Sequence, residues 1–258
     1  RLVAIGLDGL CLPLDGGDEP FAVCDPACGG GAFLLAAARR LASSGVGRRA
    51  VVERHLVGVD IDPLAAAVAS TALLLWAGGP PVVPQVVVAD ALATVPWPHR
   101  PESGFDLVVG NPPFQSQLST RTARTAGGAE RVRHRFGADV TGYVDTAALF
   151  LLAATDEVRP GGRVLLIQPQ SVLAGRDAGP VRRAVDERVP LEGLWLCDER
   201  VFAAHTRVCA PVLRRPAEGA ARPAGVRRRR GPAVPRAQGG PAPAPRPGAP
   251  PAPRLRGT

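Results

Sequence analysis

The sequence has no lysine and no methionine, and it has a single tyrosine and a single asparagine. Its five cysteines are odd in number, and no two of them form a Cys-x-x-Cys pair, so neither a disulfide framework nor a zinc site is indicated. The four histidines show no metal-ligand spacing near the cysteines. No apolar run is long enough to cross a membrane. These absences favour a cytoplasmic protein with reduced thiols, no bound metal and no membrane partner.

The net charge of +8 is concentrated at the end of the chain. Residues 1–212 contain 20 arginines against 22 acidic residues, which gives −2, whereas residues 213–258 contain 11 arginines against one glutamate, which gives +10. From Pro216 onward large apolar side chains are almost absent, so burial cannot offset the entropy cost of folding. We therefore expect one globular domain over 1–215 and a disordered Pro/Ala/Arg-rich tail over 216–258. The tail is either a nucleic-acid-binding arm or a product of GC-rich coding bias or of a shifted reading frame, and we favour the second explanation.

Short apolar runs alternate with helical segments along the globular part, which is typical of a mostly parallel sheet covered by helices. The clearest helix start lies after the second strand, with Asp62 as N-cap and Pro63 at the first helical position. The predicted strands are 21–25, 55–60, 85–90, 105–110, 163–169, 191–198 and 206–215, and the predicted helices are 32–42, 62–77, 143–162 and 180–189. The sequence therefore predicts an α/β fold.

Four loops follow the first four predicted strands, and their first residues share a pattern. The loops are 25–31, 60–63, 90–92 and 111–114. Three of them begin with aspartate directly after a Val/Ala-rich strand, and the fourth begins with the lone asparagine. In a sheet of this kind ligands bind beyond the carboxyl ends of the strands, where these loops lie. The regularity predicts one ligand site that is built from all four loops.

The first three loops carry groups that suit a nucleoside. The glycines of DPACGGG allow a ligand to approach the backbone at a helix N-terminus, but the loop has neither GxGxxG spacing nor a GK[ST] phosphate signature. Asp60 ends the second strand, where a carboxylate can accept hydrogen bonds from both ribose hydroxyls. Asp90 ends the third strand, where it either accepts from an adenine amino group or only shapes a turn.

The fourth loop, Asn-Pro-Pro-Phe, combines groups that can hold an amino group on a planar ring. Asn111 supplies a neutral side-chain acceptor, and the two prolines fix the backbone and leave carbonyls without a competing N–H between them. Phe114 supplies a flat apolar face for stacking. A turn that merely ends a strand is the simpler interpretation of Asn-Pro. Opposite a nucleoside site, however, the amino-group interpretation is favoured.

Together these motifs resemble the S-adenosylmethionine-dependent N6-adenine and N4-cytosine DNA methyltransferases. DPACGGGAFL resembles the family's cofactor motif, GVDIDP its ribose-binding motif, VVVADAL its adenine-contacting motif and NPPF its catalytic motif. The motif order is similar to the gamma arrangement, and the likeness covers roughly 8–215. It implies a Rossmann-like class I methyltransferase fold with a mostly parallel seven-stranded sheet. It also implies an adenine-specific DNA methyltransferase of a restriction-modification or phage-defence system.

The resemblance assigns a role to each loop. S-adenosyl-L-methionine would be held by the first three loops, with Asp60 on its ribose and Asp90 on its adenine amino group. Asn111 and Pro112 would hold N6 of a target adenine that is flipped out of double-stranded DNA. The implied cofactor-binding residues are Asp25, Pro26, Ala27, Cys28, Gly29, Gly31, Asp60, Ile61, Asp90 and Ala91, and the implied catalytic residues are Asn111, Pro112, Pro113 and Phe114.

The chain departs from the family in two places. The family's upstream Tyr-Thr-Pro-like segment and an initiator methionine are missing, so we expect a fragment. No recognisable target-recognition domain follows Arg215, so a separate specificity or target-recognition subunit is an expected partner. The alternatives are a protein glutamine N5-methyltransferase similar to those of release factors, and a truncated, inactive cofactor-binding subunit.

The polar segment 115–142 follows the Asn-Pro-Pro-Phe motif directly and is rich in arginine. Loops of this length in compact domains are usually either functional or disordered. We expect this one to close over the flipped base and to contact DNA phosphates through its arginines, among them Arg131, Arg133 and Arg135.

Overall fold

The computed structural model describes residues 1–10, 20–114, 130, 134–137, 144–197, 207–222 and 225–231. The strands are β1 Val23–Asp25, β2 Leu56–Asp60, β3 Gln85–Val88, β4 Phe105–Gly110, β5 Val158–Leu166, β6 Gln168–Pro169, β7 Leu191–Cys197, β8 Val208–Arg214 and β9 Arg227–Gly231. The helices are α1 Leu2–Leu7, α2 Ala32–Ala42, α3 Arg48–Ala50 with a π-helical continuation Val51–His55, α4 Pro63–Ala77, α5 Thr146–Glu157, α6 Ser171–Ala174 and α7 Gly179–Arg188. The predicted α/β class is confirmed.

The strands within the described ranges form one sheet in the order β3-β2-β1-β4-β5-β8-β7-β9, with β6 paired to β8. The first five strands in this order are parallel neighbours, whereas β8 runs antiparallel to both β5 and β7. Every residue of β1 and β4 is buried, because helices cover both faces of the sheet. Continuous apolar runs such as these are what a parallel sheet requires, which explains why the sequence predicted them well.

Helix α4 shows how local sequence fixes an element of this fold. The Asp62 side chain accepts a hydrogen bond from the Leu64 N–H at 2.9 Å, and Pro63 occupies the first turn, as predicted. Gly78 ends the helix in a left-handed conformation, with φ of 104°. None of the helices in the described ranges combines the length and the apolarity that a membrane crossing requires.

Helix α5 is shorter than predicted, because the Pro-Gly-Gly stop belongs to the next strand. The helix begins after Asp145, whose side chain accepts from the Ala147 N–H at 2.8 Å, and it ends at Glu157. The residues that follow the helix belong to β5 instead, and the Gly161 N–H donates to the Arg215 carbonyl at 2.9 Å. Gly161 has φ of 80°, a conformation that glycine adopts without strain.

The sheet contains nine strands in the described ranges instead of the predicted seven. One addition is β6, a two-residue strand beside β8. The other is β9, which lies within the tail that we predicted to be disordered and pairs in parallel with β7. The composition did not predict this strand, because main-chain hydrogen bonds to a sheet edge do not require apolar side chains. Within the predicted tail, 223–224 and 232–258 lie outside the described residues.

Candidate active site

The carboxyl ends of β3, β2, β1 and β4 lie side by side at one edge of the sheet. The register shows this directly, because Asp25 pairs with Gly58 and Asp60 pairs with Val88 in parallel strands. The four predicted loops therefore lie together at this edge. Asn111 follows the last residue of β4, so it lies beyond the strand that neighbours β1.

The glycine turn, Pro26–Gly31, joins β1 to α2. The Cys28 N–H donates to the Val59 carbonyl at 3.0 Å, which attaches the turn to β2. Gly29 has φ of 51°, and a Cβ built on it would meet no atom within 4 Å. Open space above a left-handed glycine is what the approach of a ligand to the backbone requires. A Cβ on Gly31, by contrast, would lie 3.2 Å from Ala69, so this glycine permits close packing of α2 on α4.

Asp60 connects the glycine turn to the start of α4. Its Oδ2 accepts from the Gly29 N–H at 2.7 Å, and its Oδ1 accepts from the Asp62 N–H at 2.9 Å. A carboxylate has about four lone-pair sites, so each oxygen can still accept one hydroxyl proton. Ile61, the next residue in the chain, is a large apolar residue and is nevertheless 41% exposed. Both features suit a ribose with a flat base beside it.

Asp90 directly precedes the turn Ala91–Thr94. We call it the adenine-side turn, because Asp90 is the residue predicted to accept from the cofactor's adenine. Asp90 Oδ1 accepts from the Leu92 N–H at 3.0 Å, and the Asp90 carbonyl accepts from the Thr94 N–H at 2.9 Å. Ala91, predicted as a cofactor contact, is only 2% exposed, and its carbonyl accepts from Trp97 Nε1 at 2.8 Å. The Ala91 side chain is thus part of the core beneath the turn.

Asp25 is 1% exposed and lies beneath the glycine turn. Its Oδ1 accepts from the Ala27 N–H at 3.2 Å and lies against the Cα of Gly110. The pKa of Asp25 is raised to about 7, chiefly by burial; the Ala27 hydrogen bond lowers it in part, and the nearby Asp60 adds a smaller increase. Burial also raises the pKa of the Cys28 thiol to about 12, with smaller contributions from Asp25 and Asp60. Cys28 is therefore a protonated, inert thiol near neutral pH.

The Asn-Pro-Pro-Phe turn, Asn111–Phe114, begins where β4 ends. Asn111 Oδ1 is buried and has no hydrogen-bond partner among the described residues. Pro112 is buried and Pro113 is exposed. Phe114 is half-buried and packs against an apolar cluster that consists of Leu2, Trp195, Cys197, Val208 and Ala210. The turn therefore presents one unsatisfied acceptor beside a partly covered aromatic ring.

Gln168 is a polar residue that the sequence analysis did not single out. It is fully buried in β6, its Nε2 donates to the Ala147 carbonyl at 2.9 Å, and its Oε1 has no partner within the described part of the chain. It lies close to Asn111 in the sheet, because the Ile167 N–H donates to the Gly110 carbonyl at 3.0 Å. A glutamine within the apolar run RVLLIQP was the signal that could have identified it.

Arg135 differs from what we predicted for the arginines of segment 115–142. Its guanidinium donates to carbonyls of the adenine-side turn and pairs with Asp156, with only 13% of the side chain exposed. Its donors are therefore directed at groups of the protein itself and not at a bound phosphate. Arg131 and Arg133 lie outside the described residues, as do 115–129.

A family model described as N-6 DNA methylase matches residues 15–218. A Listeria monocytogenes protein assigned provisionally to the class I S-adenosylmethionine-dependent methyltransferases has a TM-score of 0.66 and 18% identity, with 89% of this chain and 61% of that chain covered. The type I restriction-modification methyltransferase subunit of Streptococcus thermophilus has a TM-score of 0.60 and 19% identity, covering 83% of this chain and 42% of that one. DrdV, solved in complex with DNA, has a TM-score of 0.64 and 16% identity, covering 90% and 26% respectively. The chain spans less than two thirds of each structure, and these likenesses show a shared fold.

Proposed function

The chain belongs to the N-6 DNA methylase family, and we propose that it transfers a methyl group from S-adenosyl-L-methionine to the exocyclic N6 amino group of an adenine in double-stranded DNA. The observation that carries the proposal is the buried Asn111 Oδ1, which has no partner among the described residues. A buried acceptor left without a donor costs about 1–3 kcal/mol. An amino group that donates to Asn111 on substrate binding would remove this cost.

S-adenosyl-L-methionine fits the first three loops. Gly29 leaves open space above its backbone, and Asp60 keeps lone pairs for two ribose hydroxyls. Ile61 offers an exposed apolar side chain to the adenine, whose amino group Asp90 would accept. When bound, the cofactor supplies an electrophilic methyl group on a sulfonium. Asp25 supports the glycine turn from below, because its buried carboxyl group accepts a hydrogen bond from the Ala27 N–H.

The Asn-Pro-Pro-Phe turn would hold and orient the target amino group. The Asn111 Oδ1 and the Pro112 carbonyl accept the two N6 hydrogens, which discourages delocalisation of the nitrogen lone pair into the ring and makes the nitrogen a better nucleophile. The exposed part of Phe114 stacks on the base, which must leave the duplex to reach the turn. Most of the catalysis is then positioning and electrostatics.

The biological setting that we propose is restriction-modification or phage defence. Support comes from the family and from the fold shared with the Streptococcus thermophilus subunit and with DrdV. Because the chain spans only part of such proteins, we propose that a separate target-recognition subunit or segment selects the DNA sequence. Cys24, Cys28 and Cys209 are buried free thiols, in keeping with a cytoplasmic location.

The test is methyl transfer from labelled S-adenosyl-L-methionine to bulk double-stranded DNA, followed by nucleoside analysis. We expect the label in N6-methyladenine. Label in N4-methylcytosine would move the target to cytosine, and label on glutamine of a protein substrate would replace the proposal with a glutamine methyltransferase. Cofactor binding without transfer, with a target-recognition subunit supplied, would identify an inactive cofactor-binding subunit.

A further inference from the structure

Arg135 lies in the segment that follows the Asn-Pro-Pro-Phe turn, yet its side chain reaches the adenine-side turn. Its Nη1 donates to the carbonyls of Ala91 and Leu92 at 3.3 Å each and to the carbonyl of Thr94 at 3.5 Å. A single guanidinium therefore gathers three of the four carbonyls of Ala91–Thr94. The Ala91 carbonyl also accepts from Trp97 Nε1 at 2.8 Å, so Arg135 is a second donor to Ala91 and extends the hydrogen bonding of the turn to the carbonyls of Leu92 and Thr94.

The same side chain is fixed by contacts with helix α5. Its Nη2 lies 3.4 Å from Asp156 Oδ2 and 3.9 Å from Glu157 Oε1. Its guanidinium carbon lies 4.9 Å from the centroid of the Phe136 ring, a cation–π distance. Phe136 is 3% exposed and packs in the apolar cluster that includes Ala91 and Leu92. Arg135 and Phe136 thus anchor their segment on the turn with a polar and an apolar contact.

The adenine-side turn is built on Asp90, the residue that would accept from the cofactor's adenine. Asp90 Oδ1 and the Asp90 carbonyl receive backbone N–H groups of this turn, so the position of the carboxylate depends on the conformation of residues 91–94. The hydrogen bonds from Arg135 to carbonyls of the same residues also restrict that conformation. Arg135 contacts both this turn and α5, as does Trp97, whose Nε1 donates to the Ala91 carbonyl at 2.8 Å and whose backbone N–H donates to Glu157 Oε2 at 3.3 Å.

We propose that Arg135 is a positioning residue for the cofactor, holding the adenine-side turn in the conformation that presents Asp90. The inference rests on the proposed function for the identity of the ligand. It also gives residues 134–137, within segment 115–142, a role inside the protein, where they brace the adenine-side turn.

Arg100 provides a matched control. Its Nε pairs with Glu157 Oε2 at 3.0 Å, so Arg100→Ala and Arg135→Ala each remove one cation from the same buried carboxylate. The Arg100 side chain also donates to the carbonyls of Pro101 and Glu102, which lie outside the adenine-side turn. A loss of affinity that follows only from Arg135→Ala therefore does not arise from the loss of a cation beside Glu157.

The first measurement is calorimetric titration of wild type, Arg135→Ala, Arg135→Lys and Arg100→Ala with S-adenosyl-L-methionine. We expect Arg135→Ala to weaken binding about tenfold, within the usual range of coupling between sites. Arg135→Lys should restore binding only in part, because one ammonium cannot replace the planar fork. Arg100→Ala should bind as wild type does. In turnover, Arg135→Ala should raise the KM for the cofactor and leave kcat at saturating cofactor nearly unchanged.

The second measurement needs no cofactor and therefore separates this inference from the proposed function. Amide hydrogen exchange at residues 92–94 should be faster in Arg135→Ala than in Arg100→Ala, with wild type the slowest. Unchanged exchange in Arg135→Ala, or equal loss of cofactor affinity in both arginine variants, would overturn the positioning role. If wild type does not bind the cofactor but the exchange difference appears, the proposed ligand is wrong and the brace on the turn stands.

Discussion

The carboxyl group of Asp25, at the end of β1, lies directly against the Cα of Gly110, at the end of β4. A Cβ built on Gly110 would collide with Asp25 Oδ1. Gly110 is not among the glycines with positive φ, so the reason for a glycine here is the approach of the carboxyl group. This contact joins the strand before the glycine turn to the strand before the Asn-Pro-Pro-Phe turn. The side proposed for the cofactor and the side proposed for the target base thus meet at one buried pair.

Gly110→Ala tests this contact. The added methyl group must displace Asp25 or the backbone of β4, and overpacking of this kind costs typically about 1–3 kcal/mol. We expect a matching decrease in the free energy of unfolding, measured in urea, and slower methyl transfer. Gly47→Ala is the control, because a Cβ at Gly47 would meet no atom within 4 Å. Equal stability of the two variants would show that Asp25 does not crowd Gly110.

Asp25 should also make stability depend on pH. Burial raises its pKa to about 7 in the folded protein, from the ordinary 3.8, so the folded state favours the protonated carboxyl. The stabilising contribution is fully present below the unfolded pKa and is lost as pH rises through about 7. The free energy of unfolding should therefore fall between these pH values, by at most roughly 4 kcal/mol.

The variant that isolates this effect is Asp25→Asn, which keeps the shape of the side chain but cannot titrate. Burial raises the pKa of Asp106 and Glu157 as well, so the informative quantity is the difference between wild type and variant at each pH. We expect wild type to lose stability relative to Asp25→Asn as pH rises toward neutrality. A difference that does not change with pH would place the titration elsewhere.

Asp60→Ala tests the ribose assignment. The substitution removes the acceptor of the Gly29 N–H and of the proposed hydroxyls, so S-adenosyl-L-methionine binding should weaken by about 1–3 kcal/mol. Asp62→Ala is the paired control, since Asp62 caps α4 and should cost about 1 kcal/mol of stability without loss of affinity. Calorimetry that gives the same dissociation constant for Asp60→Ala and wild type would remove Asp60 from the site.

Much of this fold was predictable because local signals and burial agree. The strands β1, β2 and β4 are short apolar runs that are covered on both faces. Helix α4 has its N-cap and its proline at the predicted positions. The edge that carries the candidate site followed from the rule that ligands bind beyond the carboxyl ends of parallel strands. Asp60 and Asn111 could therefore be placed at the same edge before any coordinates were known.

Other features depend on tertiary contacts that the sequence does not encode locally. Strand β9 has the composition of a disordered tail, and it is ordered by main-chain pairing with β7. Arg135 lies in a polar, arginine-rich stretch of the sequence, which suggested contact with DNA. Its side chain instead donates to three carbonyls that are distant in the sequence. The burial of Asp25 and Ala91 likewise depends on the residues that pack around them in the folded protein, which their local sequence does not indicate.

The most direct measurement compares Asn111→Ala with wild type in two assays on the same preparations: S-adenosyl-L-methionine binding and methyl transfer to DNA. Asn111 lies beyond the loops assigned to the cofactor, and its Oδ1 has no partner within the described part of the chain. We expect unchanged cofactor affinity and methyl transfer slower by about 100-fold or more, the usual cost of removing one transition-state hydrogen bond. An Asn111→Ala protein that methylates DNA at the wild-type rate would contradict this expectation.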